Sequence, residues 1–148
     1  MRPLNLHHRR AFTLIEVIVV IAIIGIMTSL VITTYRNVAQ DSRDVVARQQ
    51  QAALQGAINN WITTESTTKS MAMVRSDYAA ILSGSGSPGV LLELQDYLDE
   101  RTFGHLQGNS PAGDDKILSD ALIKIQKHLQ LSTWSADSYP QVRLKSNS

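Results

Sequence analysis

Apolar residues are concentrated near the start of the chain, in one long run that follows a short polar segment. The run extends from Phe12 to Ile32, 21 residues in all, and Glu16 is its one ionisable side chain. As a helix these residues would span about 31 Å, close to the hydrocarbon thickness of a bilayer. The pattern therefore predicts a membrane-spanning helix. A carboxylate within such a span costs about 2.5 kcal/mol or more, so Glu16 needs a specific role.

A helical pattern continues beyond the apolar run, over residues 33–62. Two sets of apolar residues recur there at helical spacing, which are Val38, Val45 and Ala52, and then Leu54, Ile58, Trp61 and Ile62. The sequence predicts one helix from about Phe12 to about Ile62, which would be about 75 Å long. A small head cannot cover a helix of that length. Its first half must therefore contact lipid or other subunits.

The remaining residues, 63–148, alternate between helical patterns and segments rich in glycine, serine and threonine. The expected elements are a loop at 63–70, helices at 71–82, 90–101 and 117–130, a flexible turn or linker at 83–89 and a strand at 140–144. The third helical pattern also alternates locally as a strand would. The sequence thus predicts a helix-rich α+β protein, in which a long N-terminal helix carries a small head and any sheet is short.

Charge is balanced over the whole chain but uneven at its start. The formal net charge is +1, from 14 Lys and Arg against 13 Asp and Glu, which gives no support to a nucleic-acid binder. Arg2, Arg9 and Arg10 precede the apolar run, and no acid does. The positive-inside rule then predicts a cytoplasmic N-terminus and an external head. The chain has no cysteine, so disulfides and thiol chemistry are excluded.

Residues 1–11 have the composition of the basic region of an export signal. An ordinary secretory signal is cut after its apolar region, at a site with the pattern Ala-x-Ala. No convincing site of that kind follows Ile32. The apolar segment is therefore expected either to stay as an anchor or to be cut on its N-terminal side.

A specific resemblance lies at the junction of the basic and apolar segments. The order of residues resembles the class III signal of type IV pilins and type II secretion pseudopilins, and the residues that carry it are Arg9, Arg10, Ala11, Phe12, Thr13, Leu14, Ile15 and Glu16. The resemblance covers about the first 50 residues. It implies that a prepilin peptidase cuts between Ala11 and Phe12 and methylates the new amine of Phe12.

The chain departs from that family at two positions. The residue before the cut is usually glycine, whereas here it is Ala11, which is also small, so we expect processing. Many pilins have a helix-weakening proline where this chain has Thr33, so the helix is free to continue.

The position of Glu16 gives this carboxylate a role in assembly. Cleavage would place an ammonium group on Phe12, four residues upstream and on the same face of the helix. In a filament the carboxylate of one subunit can meet the ammonium of its neighbour, which pairs both charges and fixes the register. The alternative is a glutamate that reaches the headgroups from the first turn of the span.

Other motifs carry less weight. The spacing of Gly84, Gly86 and Gly89 matches a dinucleotide-binding fingerprint, but no strand is predicted before it, so a linker is favoured. The paired arginines also match a twin-arginine signal, which the long apolar run disfavours.

Asp114, Asp115 and Asp120 are weak candidates for Ca²⁺ ligands, and a helix cap formed by the first two is preferred. No arrangement of catalytic residues is present, so an enzyme is not predicted.

The sequence thus predicts a chain of four consecutive parts. The chain has a leader (1–11), a transmembrane half-helix (12–32), an amphipathic half-helix (33–62) and a periplasmic or extracellular head (63–148). We expect a subunit of a type IV pilus-like filament, most simply a type II secretion pseudopilin or minor pilin. It would start as a single-pass protein of the bacterial inner membrane and later join a filament.

The expected partners are prepilin peptidase, other pilin or pseudopilin subunits, an inner-membrane assembly platform and membrane lipid; no nucleic acid or resident cofactor is expected. The alternatives are a membrane-anchored periplasmic binding protein that does not polymerise and a pilin-like subunit of DNA uptake.

Overall fold

The structure, a computed structural model, describes residues 13–111 and 114–147, without the side chains of Thr33 and Arg36. The chain divides into two compact units, Met1–Ala39 and Gln40–Ser148. The elements in order are α1 (Leu14–Thr68), α2 (Met71–Glu93), a 3₁₀ turn (Gln95–Tyr97), α3 (Glu100–Gln107), α4 (Asp120–Lys124), β1 (Lys127–Leu131) and β2 (Val142–Ser146). The predicted fold class is confirmed: a long N-terminal helix precedes a small head with a short sheet.

Helix α1 has no proline and continues past position 33, as the sequence predicted. It ends at Thr68 rather than near Ile62, so the predicted loop at 63–70 was wrong over most of its length. The hydroxyl groups of that stretch donate back to helix carbonyls; Thr63 Oγ1 to Asn59 O is one such bond, at 2.8 Å. These bonds satisfy the polar side chains without unwinding the helix.

Helix α2 contains the glycine- and serine-rich stretch that was predicted to be a linker. Ser70 caps its N-terminus, and the backbone leaves helical geometry at Gly86, where φ is 66° and ψ is −165°. Ser87, which is buried, donates its hydroxyl to Asp115 Oδ1 at 2.6 Å and accepts the backbone N–H of Leu131 at 3.0 Å. The stretch is therefore packed against β1, and the linker prediction was wrong.

The predicted helix at 117–130 is a short helix followed by a strand. Ser119 caps α4, which has five residues, and Gln126 turns the chain with a φ of 56°. Leu129 in β1 then exchanges two backbone hydrogen bonds with Ile117, at 2.8 and 2.9 Å. The predicted helix at 90–101 is likewise divided, because α2 ends at Glu93 and α3 begins at Glu100.

The sheet has two antiparallel strands, and Leu129 of β1 lies opposite Leu144 of β2. The predicted strand at 140–144 is confirmed with a shift of two residues, since β2 begins at Val142. Helix α1 supports the outer edge of β2: Gln55 Oε1 accepts the Val142 N–H at 2.9 Å, and Gln51 Nε2 donates to the Val142 carbonyl at 2.8 Å.

One hydrophobic core lies in the second unit and includes every described element except the 3₁₀ turn. The predicted apolar set of Leu54, Ile58, Trp61 and Ile62 is buried there, which confirms its role. Other members are Ala47, Ala57, Val74, Tyr78, Val90, Leu91, Leu94, Phe103, Leu106, Ile117, Leu122, Leu129, Leu131 and Val142. In contrast, Val38 and Val45 are more than half exposed.

Candidate functional site

The start of α1 is closed by a reciprocal pair of side chains, Thr13 and Glu16. Glu16 Oε2 accepts the Thr13 backbone N–H at 2.8 Å and the Thr13 hydroxyl at 2.9 Å, and the Thr13 hydroxyl oxygen accepts the Glu16 N–H at 3.4 Å. This is the capping-box arrangement, in which the two residues satisfy backbone donors that the first helical turn leaves free.

The sequence-based prediction did not include Thr13. Its signal was present, since a threonine three residues before a glutamate and directly before an apolar run marks a helix start. The cap gives Glu16 a local partner within its own chain. Both donors use the same oxygen, Oε2, and no donor from the described residues lies on Oε1. One side of the carboxylate is therefore available to a group from outside those residues.

The apolar surface around Glu16 is uncovered. Ile15, Val19 and Val20 line a shallow groove beside the carboxylate. The helix contains an 18-residue window with a mean hydropathy of 2.8, and none of that window is buried. By length and composition this segment can cross a membrane. No described residue covers it, which is consistent with contact to lipid or to other helices.

The small polar residues inside the apolar segment are hydrogen-bonded within the helix. Thr28 Oγ1 donates to Ile24 O at 2.7 Å, and Ser29 Oγ donates to Ile26 O at 2.8 Å. A Cβ added at Gly25 would meet no atom within 4 Å. The segment thus presents small residues without bare hydroxyl groups, which suits close packing of helices in an apolar medium.

The predicted processing site lies outside the described residues. Ala11, Phe12 and the arginines that precede them all fall in 1–12. Cleavage between Ala11 and Phe12, and methylation of Phe12, therefore stay predictions.

The three aspartates considered as Ca²⁺ ligands have other partners or positions. Asp115 accepts hydrogen bonds from Ser87 and from the Gln130 amide, Asp114 pairs with Lys116 at 3.7 Å, and Asp120 is in the first turn of α4. Within residues 13–111 and 114–147, no group of three or more His, Asp or Glu side chains is placed to hold a metal ion. The predicted cap by Asp114 and Asp115 was wrong, because Ser119 caps the helix instead.

The carboxyl of Asp115 is tuned by opposing effects. Partial burial raises its pKa, but the hydrogen bonds from Ser87 and Gln130, together with the charge of Lys145, outweigh burial and hold the pKa below its ordinary value. Asp115 is therefore ionised at neutral pH and joins α2 to β1. This role is structural, and no local sequence pattern indicated it.

Comparison with known proteins identifies the N-terminal segment. Residues 6–32 match the family model of the prokaryotic N-terminal methylation motif. The chain therefore carries the class III signal of type IV pilin-like proteins, as its sequence indicated. This motif marks a structural family rather than an enzyme family, and it points to a substrate of prepilin peptidase. No curated protein and no solved structure matches the chain.

Proposed function

We propose that this protein is a structural subunit of a type IV pilus-like filament, and specifically a type II secretion pseudopilin or minor pilin. The observation that carries the proposal is the methylation motif at residues 6–32, in register with an uncovered apolar helix. Because this motif lies on a helix that the described residues leave uncovered, it favours a subunit that assembles with others over a membrane-anchored protein that does not polymerise.

In this proposal prepilin peptidase cuts between Ala11 and Phe12 and methylates the Phe12 amine. The methylated amine keeps its positive charge at neutral pH. Glu16, four residues downstream, then pairs with the amine of a neighbouring subunit through the carboxylate oxygen that the Thr13 cap leaves available. Pairing removes two bare charges from an apolar bundle and fixes the register between subunits.

The proposed location follows from charge and hydropathy. Before assembly the subunit spans the bacterial inner membrane once, because the one long apolar helix among its described residues suits that role and the motif is found in such proteins. Arg2, Arg9 and Arg10 hold the N-terminus in the cytoplasm, and the head lies in the periplasm. An inner-membrane platform then moves the subunit from lipid into the filament.

The mass of the mature chain tests the processing step. In cells with the peptidase, we expect a chain that begins at Phe12 and carries one added methyl group, measured by intact-protein mass spectrometry. Ala11→Gly should be processed equally well, whereas Ala11→Leu should stay intact because the peptidase site requires a small residue. An unprocessed chain in cells that process another prepilin would contradict the proposal.

Substitution of Glu16 tests the assembly step. Glu16→Ala should be cleaved normally but should enter filaments at a small fraction of the normal level, measured by shearing and immunoblotting. Glu16→Gln can keep the bonds to Thr13 while removing the charge, so it separates the cap from the ion pair. We expect Glu16→Gln to enter filaments as poorly as Glu16→Ala does. The control variant Thr28→Ala should assemble normally. Normal assembly of Glu16→Gln would exclude the charge pairing.

The same experiments separate the alternatives. A processed chain that stays in the membrane fraction in cells that make filaments would favour an anchored periplasmic binding protein. Loss of DNA uptake on deletion, with secretion and pilus formation intact, would instead favour a subunit of DNA uptake.

A further inference from the structure

Arg75, in the first turns of α2, is a cation without a charged partner. Its guanidinium lies over the Trp134 ring, 5.7 Å from the ring centroid. It makes no ion pair or hydrogen bond with any residue in the described part of the chain, and its Nε is buried without a partner. A buried donor left unsatisfied costs about 1–3 kcal/mol, and more for a charged group. A charged acceptor at the terminal nitrogens of the same guanidinium would offset that cost.

A row of aromatic rings holds Arg75 in place. The ring centroids are separated by 6.4 Å from Trp61 to Tyr78, by 6.0 Å from Tyr78 to Trp134 and by 5.5 Å from Trp134 to Tyr139. The inner rings belong to the core, and the outermost, Tyr139, is 57% exposed. The cation–π contact with this anchored tryptophan limits the freedom of the Arg75 side chain, so less entropy is lost when its planar fork binds a partner.

Beside this cation is a small cavity of about 130 Å³, lined by Met71, Arg75, Trp134, Ala136, Asp137, Ser138 and Tyr139. This volume is well above the minimum that admits one water, so the cavity has room for a small polar group. Carboxylate is the group that a free guanidinium fork binds best. Methionine, arginine, tryptophan and tyrosine are also the residue types enriched at protein interfaces.

The cavity opens beside a larger groove that can hold the chain on either side of an inserted residue. The groove shares Met71 and Tyr139 with the cavity and is otherwise lined by Asn59, Ile62, Thr63 and Ser66. Its amide and hydroxyl groups can bond a peptide backbone, while its apolar groups can pack against side chains. The surroundings therefore favour a protein segment over a free small molecule.

A complementary segment lies at the other end of α2. Residues 93–100 include four acids and no Lys or Arg. Asp99 caps α3 through the Thr102 N–H, whereas Glu93, Asp96 and Glu100 are exposed and form no ion pair with any described residue. The head thus carries an unpaired cation in a cavity near one end of α2 and unpaired carboxylates just beyond the other end.

We propose that the Arg75 cavity binds an acidic side chain from residues 93–100 of a second copy of this chain. Because the two surfaces differ, the contact is heterologous, and with a rotation that does not close into a ring it repeats from copy to copy along a filament. This inference rests on the proposed filament function. Asp137 also lines the cavity and is exposed, so its charge weakens the contact and tunes its strength.

Cysteine crosslinking tests the contact directly, since the chain has no cysteine of its own. Gln95→Cys, at an exposed position that keeps all four acids of the segment, and Ala136→Cys are expressed as two full-length variants in the same cells, and filaments are sheared and oxidised. We expect disulfide-linked dimers when both variants are present, and much less product when Ala80→Cys, an exposed position on α2, replaces Ala136→Cys. Filaments that form without the specific dimer would overturn this inference and leave the proposed function intact.

A binding measurement tests the cavity independently of filament formation. The full chain in detergent is titrated with a blocked peptide of residues 93–100, and tryptophan fluorescence is recorded, with Trp134→Phe to assign the signal. Arg75→Gln should weaken binding about tenfold or more, Asp137→Asn should strengthen it, and Arg101→Gln, on α3, should leave it unchanged. Equal binding of the peptide by wild type and Arg75→Gln would overturn the proposal, and so would the absence of binding by wild type. Glucuronate serves as a free small molecule that carries a carboxylate, and its binding without binding of the peptide would also overturn the proposal.

Discussion

At the scale of single residues, Thr13 changes the energetic problem that Glu16 presents. A lone carboxylate in an apolar helix would be costly, but here two donors from Thr13 share one of its oxygens. In lipid, where water is scarce, such local bonds offset part of the desolvation cost. In the proposed assembly a partly satisfied charge becomes a paired one, so the driving force is expected to be smaller than that for pairing a bare charge.

Tyr78 is the residue whose titration should limit stability at high pH. It is fully buried, and its hydroxyl donates to Ser132 O at 2.8 Å. Burial, with a contribution from the charge of Asp115, raises the pKa of this phenol well above its ordinary value. The folded state therefore favours the neutral phenol. Its contribution to stability is complete below about pH 10, the ordinary pKa, and is lost as the pH rises beyond it.

We expect Tyr78→Phe to lower the free energy of unfolding by about 1–2 kcal/mol at neutral pH, because the Ser132 carbonyl loses its donor. The same variant should lose less stability than wild type between about pH 9 and pH 11. Denaturant unfolding at these pH values measures both effects. Tyr139→Phe, at an exposed ring, is the control and should keep the alkaline loss. An unchanged alkaline loss in Tyr78→Phe would show that another group is responsible.

At the scale of elements, Gly86 determines how α2 packs. Its backbone has a positive φ and an extended ψ, a combination almost confined to glycine. A Cβ there would also lie 3.2 Å from Asp114 O. Gly84, two residues earlier in the same element, has open space around the Cβ position.

Substitution of these two glycines by alanine should change the free energy of unfolding in opposite directions. Gly86→Ala should lower the free energy of unfolding by about 1–3 kcal/mol, because alanine cannot adopt that backbone without strain. Gly84→Ala should raise it by about 0.5–1 kcal/mol, because alanine is the better helix former. Thermal unfolding of both variants measures the difference. A stabilising Gly86→Ala would mean that the break in α2 is not required by the fold.

The elements also show where sequence patterns were sufficient. The fold class, the apolar span and the buried set on α1 were predictable because hydropathy and helical periodicity act locally. The Thr13 cap was also readable from spacing alone. The path of the chain from residue 83 to residue 131 was not, because it depends on contacts distant in sequence. Ser87 is fixed by Asp115 and Leu131, and Ile117 by Leu129, so local propensity was overridden.

At the scale of the whole molecule, the two units differ in how their apolar residues are buried. The described part of the first unit is an exposed apolar helix, whereas every core residue named above lies in the second unit, Gln40–Ser148. The second unit therefore has the means to fold alone.

We expect a fragment of residues 40–148 to be monomeric in water and to unfold cooperatively, with a free energy of unfolding of about 5–15 kcal/mol. Circular dichroism during urea unfolding, with ultracentrifugation, measures stability and association. A longer fragment from residue 14 should require detergent, because it restores the apolar helix. A shorter fragment without fixed tertiary structure would show that the first unit is needed for folding.

Two glutamines of α1, Gln51 and Gln55, also affect how copies of this protein can associate. Among the described residues β2 has β1 as its one neighbouring strand, and an open strand edge is a template for the strands of other copies. Gln51 and Gln55 occupy both main-chain groups of Val142 on that edge. At Val142 the edge of β2 is therefore closed to a strand of another copy, which leaves fewer main-chain groups for joining sheet to sheet.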